Sequence, residues 1–298
     1  MNDTAPTTII AEDSRVSDFF ALLKPKVMSL VVFTGFAGMW IAPGFHQMHW
    51  LLASVGMLCL ALGAGAAGAA NMWYERDIDA VMKRTQNRPI PVGRIAPAEA
   101  LAMAVIFSVL SVMMMGVALN WTAAALLAIA NLFYVFIYTI WLKRSTPQNI
   151  VIGGAAGAFP PMIGWAAVTG DIAIYPCILF LIIFLWTPPH FWALSLFANE
   201  DYKRAGIPMM TVTAGPKKTK LQMLVYTLIL LPVTLAPWAL GYAGNLYGLI
   251  AAVLSAFFVY TSIKVMRDDT LKSAKLMFGY SVFYLFALFL GLMIDAAG

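Results

Sequence analysis

Nine stretches of about 20 apolar residues follow one another along this chain, the length an α-helix needs to cross the hydrocarbon core of a bilayer. They lie at roughly 27–44, 50–70, 99–119, 121–142, 149–169, 173–197, 221–241, 245–263 and 274–294. Lipid offers no partner to a backbone N–H or C=O, so segments of this kind satisfy themselves as helices. The expected fold is an all-α membrane protein, with nine transmembrane helices bundled around a central cavity in a single domain over 1–298. A content of 61% hydrophobic and 11% charged residues excludes an ordinary soluble globule. Residues 1–16 are mostly polar and read as a flexible tail without the apolar core of a cleavable signal. Residues 16–23 mix Phe19, Phe20, Leu22 and Leu23 with Asp18, a pattern for a short surface helix.

Charge placement gives an orientation. If nine spans alternate from an N-terminus inside, every Lys and Arg falls on one side: Arg15, Lys24 and Lys26; then Arg76, Lys83, Arg84, Arg88 and Arg94; then Lys143 and Arg144; then Lys203, Arg204, Lys217, Lys218 and Lys220; then Lys264, Arg267, Lys272 and Lys275. The opposite loops carry none. By the positive-inside rule the chain is expected N-inside and C-outside, in the inner (cytoplasmic) membrane of its cell. The net charge of +5 is then an insertion signal and no sign of nucleic-acid binding. Cys59 and Cys177 fall within spans, without metal-type spacing, and read as small core residues.

The polar chemistry sits at the inner ends of spans 2 and 6. Asn71, Glu75 and Asp79 are spaced i, i+4, i+8, which places them on one face of a helix. Oxygen donors in that pattern suit Mg²⁺, which takes one or two carboxylates together with phosphate oxygens. Arg76, Lys83, Arg84 and Arg88 follow, and guanidinium groups match phosphate geometry. The second cluster is Asn199, Glu200 and Asp201 with Lys203 and Arg204 beside it. The two clusters stand four spans apart, the signature of a duplicated four-helix unit facing itself across a cavity. Asn71, Glu75 and Asp79 are the expected metal-binding and catalytic residues. Arg76, Lys83, Arg84, Arg88, Lys143 and Lys203 are the expected diphosphate contacts.

Within span 6, His190 follows Pro188 and Pro189 among Trp186, Phe191 and Trp192. A buried imidazole there either bonds a carbonyl freed by a proline or orients a large substrate. Asn131, Tyr134 and Tyr138 share a face of span 4 and line the cavity or bond between helices. Gly153, Gly154 and Gly157 permit close packing, and Pro160 and Pro161 kink span 5. His46 and His49 lie in a bland outer loop. A transporter also has many spans and kinked helices, but it needs ionisable residues through the whole membrane depth. Here they gather at one face.

Several stretches carry a resemblance: 71–80, then Lys83-Arg84-Thr85 and Arg88-Pro89-Ile90-Pro91; Lys24-Pro25-Lys26-Val27; 138–154; Pro189-His190-Phe191-Trp192; and 201–209. Over about 20–290 the chain resembles the UbiA-type intramembrane prenyltransferases, nearest to their heme-farnesylating branch. That resemblance implies farnesyl transfer from farnesyl diphosphate to a vinyl group of heme b, giving heme O, with Mg²⁺ assisting diphosphate departure. It also implies a link to downstream heme A synthase or terminal oxidase assembly. It implies that Tyr138 and His190 contact substrate, and that Asp201 joins Asn71, Glu75 and Asp79 as a catalytic and metal-binding residue. Prenylation of an aromatic or quinone precursor is the alternative within the family. Two departures from the family pattern stand out. Position 75 is Glu where Asp is usual, and Phe197 occupies the first place of the second Asp-x-x-x-Asp signature, of which Asp201 is the last.

Overall fold

A computed structural model describes residues 14–268 and 270–298; the expectation of a flexible tail over 1–16 falls largely outside them. The described residues form helices α1 Val16–Leu22, α2 Pro25–Trp40, α3 Trp50–Tyr74, α4 Arg76–Val81, α5 Pro97–Ala118, α6 Trp121–Ser145 and α7 Asn149–Thr169. They continue as α8 Ile174–Phe197, α9 Asn199–Arg204, α10 Met210–Thr213, α11 Gly215–Ala239, α12 Asn245–Arg267 and α13 Leu271–Asp295. Eight of these are long and apolar enough to cross a membrane, and nine spans result if α1 and α2, bent by 54°, count as one. The chain is thus an all-helical, multi-pass membrane protein. The first expected span is the one altered. Lys24 breaks the helix in a left-handed conformation (φ 52°), and α2 alone is only 16 residues.

Lipid-facing surfaces follow from composition. Val105, Ile106, Val109, Leu110, Met113 and Val117 line one exposed side of α5, a stripe that water would not tolerate. Inside, small residues and hydroxyls replace bulk hydrophobicity as the cement. A Cβ added to Gly38 would meet Pro161 O at 2.2 Å, and one on Gly164 would meet Gly35 O at 1.9 Å. So α2 and the second half of α7 touch backbone to backbone. Further along, Tyr284 Oη lies 2.8 Å from Thr234 Oγ1 and 3.1 Å from Ser255 Oγ, tying α11, α12 and α13 together.

Neighbours repeat at the four-span offset. α3 packs on α5 and α5 on α6; α8 packs on α11 and α11 on α12. α2 lies against α7 and α13, which brings the first and last spans together. Pro160 opens the second half of α7 after a break at Phe159, and Pro188 and Pro189 sit within α8. Of the cysteines, Cys59 is buried as expected, but Cys177 is exposed on α8 and belongs to the outer surface rather than the core.

Candidate active site

The polar interior begins where α3 runs out. Glu75 caps α3 (φ −94°, ψ 13°), and α4 starts at Arg76, so Asn71, Glu75 and Asp79 do not share one uninterrupted helix. The spacing survives because the backbone keeps its i→i−4 bonds through the break: Glu75 N to Asn71 O at 2.9 Å and Asp79 N to Glu75 O at 2.8 Å. All three side chains are buried, while Arg76 and Asp77 on the other side of the turn are exposed.

Each member of this triad has its own cation. Lys24 Nζ donates to Asn71 Oδ1 at 2.7 Å, and Asn71 Nδ2 donates to Thr139 Oγ1 at 3.1 Å. Lys143 Nζ is bonded to Glu75 Oε2. Arg88 Nη1 reaches Asp79 Oδ2 at 2.6 Å. These partners come from the α1–α2 bend, from the end of α6, and from the loop before α5. Three remote segments therefore converge on one turn. The bend itself fits because α3 is glycine-rich there: a Cβ on Gly65 would stand 3.0 Å from Leu23 Cδ2, and one on Gly68 would stand 3.4 Å from Lys24 Cδ.

The remaining expected contacts divide. Tyr138 belongs to the site: its ring lies 5.9 Å from Lys143 Nζ and 5.3 Å from the Tyr134 ring. That ring is seated over Gly153, where an added Cβ would be 2.1 Å from Tyr138 Cδ2. Gly154 is close to Thr187, but Gly157 has nothing within 4 Å and needs no close approach. Arg76 turns away, donating to Trp73 O at 2.8 Å, and Lys83 and Arg84 are exposed. Arg144 holds exposed Asp77 through two bonds of 3.0 and 2.8 Å, and this hydrogen bonding keeps the Asp77 carboxyl below the usual carboxylate range. Asp77, Arg144 and Arg204 line a cavity of about 200 Å³ together with Ile78 and Val81 of α4.

The second cluster is looser. Asp201 pairs with Arg204 at 3.4 Å, and Lys203 with Glu200 at 3.0 Å, both of the latter exposed. Among the described residues no three His, Cys, Asp or Glu side chains converge as a finished metal-ligand set. Unused oxygen capacity is present nonetheless: Glu75 Oε1 and Asn199 Oδ1 are buried without a hydrogen-bond partner. Buried, oxygen-only and partly anionic, these donors fit Mg²⁺.

His190 does not bond a proline-freed carbonyl through Nδ1; that nitrogen lies 2.6 Å from Ser281 Oγ on α13. Its ring stacks between Trp186 (centroids 4.3 Å) and Phe278 (4.7 Å). Phe278 also touches Phe197 at 5.7 Å, so the residue at the degenerate position of the second acidic signature extends this aromatic wall. His49 Nδ1 accepts from Leu51 N at 3.2 Å and caps α3, and His46 packs on Trp40 and Phe45. Asn131 lies against Gly63 of α3, where an added Cβ would stand 3.3 Å from its Nδ2, and that nitrogen is buried without a hydrogen-bond partner. Lys24 was missed as a site residue. Its signal was the Lys-Pro pair after a short amphipathic stretch, where the chain cannot stay helical.

The sequence profile of the UbiA prenyltransferase family matches residues 31–290. The chain belongs to the UbiA prenyltransferase family. Protoheme IX farnesyltransferase of Agrobacterium fabrum is 58% identical over 294 residues, covering 96% of this chain and 92% of that protein. The Rhizobium johnstonii protein of the same name is 56% identical over 296 residues, covering 96% and 93%. This UbiA family member is accordingly a prenyltransferase. Solved folds agree. A structure of digeranylgeranylglyceryl phosphate synthase has a TM-score of 0.78 at 19% identity, covering 94% of this chain and 98% of that one. A UbiA homolog from Archaeoglobus fulgidus bound to GPP and Mg²⁺ has a TM-score of 0.64 at 18% identity, covering 91% and 99%.

Proposed function

We propose that this prenyltransferase transfers the farnesyl group of farnesyl diphosphate to a vinyl group of heme b, producing heme O. The observation that carries the reading is the 56–58% identity, over 96% of the chain, to proteins named protoheme IX farnesyltransferase. The aromatic cluster of Trp186, His190, Phe278 and Phe197 supports a large apolar acceptor, since it puts ring surface where an acidic motif would otherwise stand.

The chain's residues divide the work by charge. Lys24, Lys143 and Arg88 each hold one member of the triad, and each is a cation positioned for a phosphate oxygen. Diphosphate would replace the carboxylate partners of Lys143 and Arg88 and the Asn71 amide bonded to Lys24, and the released carboxylates would turn to the metal, so that no buried charge is left unpaired. Asn71, Glu75 and Asp79, with Asp201 and Asn199 from the second cluster, would hold Mg²⁺. Bound there, Mg²⁺ supplies positive charge where the leaving diphosphate accumulates negative charge. The allylic C–O bond breaks, the vinyl terminal carbon bonds to C1 of the farnesyl group, and water adds to the inner vinyl carbon as hydroxyl while its proton is released. The apolar surroundings exclude bulk water from the allylic cation.

The domain is read as one intramembrane unit in the inner membrane, with the active site facing the cytoplasm. Downstream heme A synthase or oxidase assembly would take up the product. The test incubates purified protein with heme b, farnesyl diphosphate and Mg²⁺ and examines the porphyrin by mass spectrometry. A farnesylated, hydrated heme is expected, and none after chelation of the metal. An unmodified heme, with prenylation of an added aromatic acid instead, overturns the proposal.

A further inference from the structure

Ser281 of α13 makes three hydrogen bonds that together decide how His190 is presented. Its hydroxyl donates to Phe278 O at 2.6 Å. Its Oγ also lies 2.6 Å from His190 Nδ1. Its carbonyl accepts from Trp186 Nε1 at 2.8 Å. A hydroxyl has one proton, and the arrangement that makes both 2.6 Å contacts hydrogen bonds sends it to the Phe278 carbonyl. Toward His190 the oxygen is therefore the acceptor, and Nδ1 carries the hydrogen. In a neutral imidazole the other nitrogen, Nε2, then holds a lone pair and no hydrogen.

The surroundings restrict how that lone pair is reached. Trp186 covers one face of the ring at 17° and Phe278 the other at 22°. Both faces are thus closed to a ligand, Phe191 stands perpendicular to the ring at 5.2 Å, and approach is left to the part of the ring edge that Phe191 does not meet. A metal bound along the Nε2 lone pair lies in the plane of the imidazole, so this enclosure excludes stacking on His190 while permitting axial ligation. Anchoring by Ser281 holds Trp186 as well, which keeps one wall of the sandwich in place.

We propose that Ser281 is a positioning residue for the acceptor, holding His190 as the Nδ1–H tautomer so that Nε2 ligates the heme iron. The inference rests on the reading of heme b as substrate and deepens it. Fixing the iron–nitrogen axis fixes the porphyrin plane relative to α8, and with it the distance from the vinyl groups to the diphosphate end of the site. A partner on the distal imidazole nitrogen also strengthens the ligand, and losing such a partner costs roughly 10–100-fold in metal affinity.

The experiment titrates ferrous heme b into the purified full-length protein and its variants, following the Soret band and the iron–imidazole stretch by resonance Raman. Farnesyl diphosphate binding by each variant reports the integrity of the rest of the fold. His190→Ala is expected to lose the histidine-ligated spectrum. Ser281→Ala should weaken heme binding by about 10–100-fold and shift the iron–imidazole stretch, and Ser281→Thr, which keeps the hydroxyl, should restore both. Ser281→Ala with the parent's affinity and stretch, beside a His190→Ala protein that has lost both, overturns the role of Ser281 alone. Parent and His190→Ala proteins with the same spectrum overturn ligation by His190. A parent protein that does not bind heme at all overturns the acceptor assignment itself. If Ser281→Ala does not fold, the parent's own stretch still decides: a frequency typical of an imidazole without a hydrogen-bonded Nδ1–H overturns the proposal.

Discussion

Arg88 Nη1 donates to Asp79 Oδ2 at 2.6 Å, with only 3% of the Asp79 side chain exposed and 23% of that of Arg88. The loop between α4 and α5 is folded back to make this contact, and Thr85 Oγ1 donates to Asp79 O at 3.1 Å from the same loop. The segment that carries Arg88 is therefore a cover over the carboxylate, held by it. Asp79→Ala should reduce heme O formation by about 100-fold or more, the scale set by losing one charged group at a developing charge. Asp79→Asn keeps a hydrogen-bond acceptor for Arg88 and should be equally inactive, because the charge is what the metal needs. Turnover with normal Mg²⁺ dependence in either variant would remove Asp79 from the site.

Lys143 and Glu75 form the deepest ion pair of the triad. Glu75 is 1% exposed, and only one of its oxygens is bonded. Lys143→Met should leave an uncompensated buried carboxylate and cost on the order of 3 kcal/mol. A thermal melt in detergent should show it as a lowered Tm. Lys143→Met with Glu75→Gln should regain most of the stability and none of the activity, since the pair is both a structural and a binding element. A single variant as stable as the parent would mean that the Lys143–Glu75 pair does not support the fold.

Gly153 and Gly157 stand one turn apart on α7 and make opposite predictions. Alanine at 153 places its Cβ 2.1 Å from Tyr138, so the ring beside Lys143 must move. Gly153→Ala should raise the KM for farnesyl diphosphate several-fold and lower the Tm. Gly157→Ala meets nothing within 4 Å, and alanine is the better helix former by about 1 kcal/mol. That variant should melt at or above the parent's Tm with unchanged kinetics. Equal behaviour of the two would contradict the packing of α6 on α7.

Orientation is open to labelling. In a background with Cys59→Ala and Cys177→Ala, a membrane-impermeant maleimide should reach Lys217→Cys only from the cytoplasmic side. It should reach His46→Cys only from the opposite side. The reverse pattern would invert the proposed topology and move the diphosphate site to the wrong face.

Much of this protein was written in one dimension. A bilayer sorts residues by depth, and depth leaves a periodic trace: apolar runs of spanning length, and nineteen Lys and Arg at one set of ends. The triad was legible for the same reason. Its i, i+4, i+8 spacing survives even the break at Glu75, because the backbone hydrogen bonds continue through it. The resemblance of the quoted motifs pointed to the family that the profile and the relatives then showed.

Lateral neighbours left no such trace. Which cation serves which member of the triad, Lys24 with Asn71, Lys143 with Glu75 and Arg88 with Asp79, depends on packing among helices that are equally apolar, where glycine contacts and shape decide. The same holds for Arg76, Lys83 and Lys203, which share the composition of a phosphate site yet are exposed. The π-helical turns of Phe133–Leu142, which lie where α6 packs on α7, went unread in the sequence as well. Ser281 is the sharpest case, an unremarked hydroxyl 91 positions from His190 in the chain. The sequence by itself determined depth, class and family, because membrane partition acts on each segment separately. Only the tertiary structure decided the partners, because a hydrogen bond between distant residues is chosen by where two backbones meet.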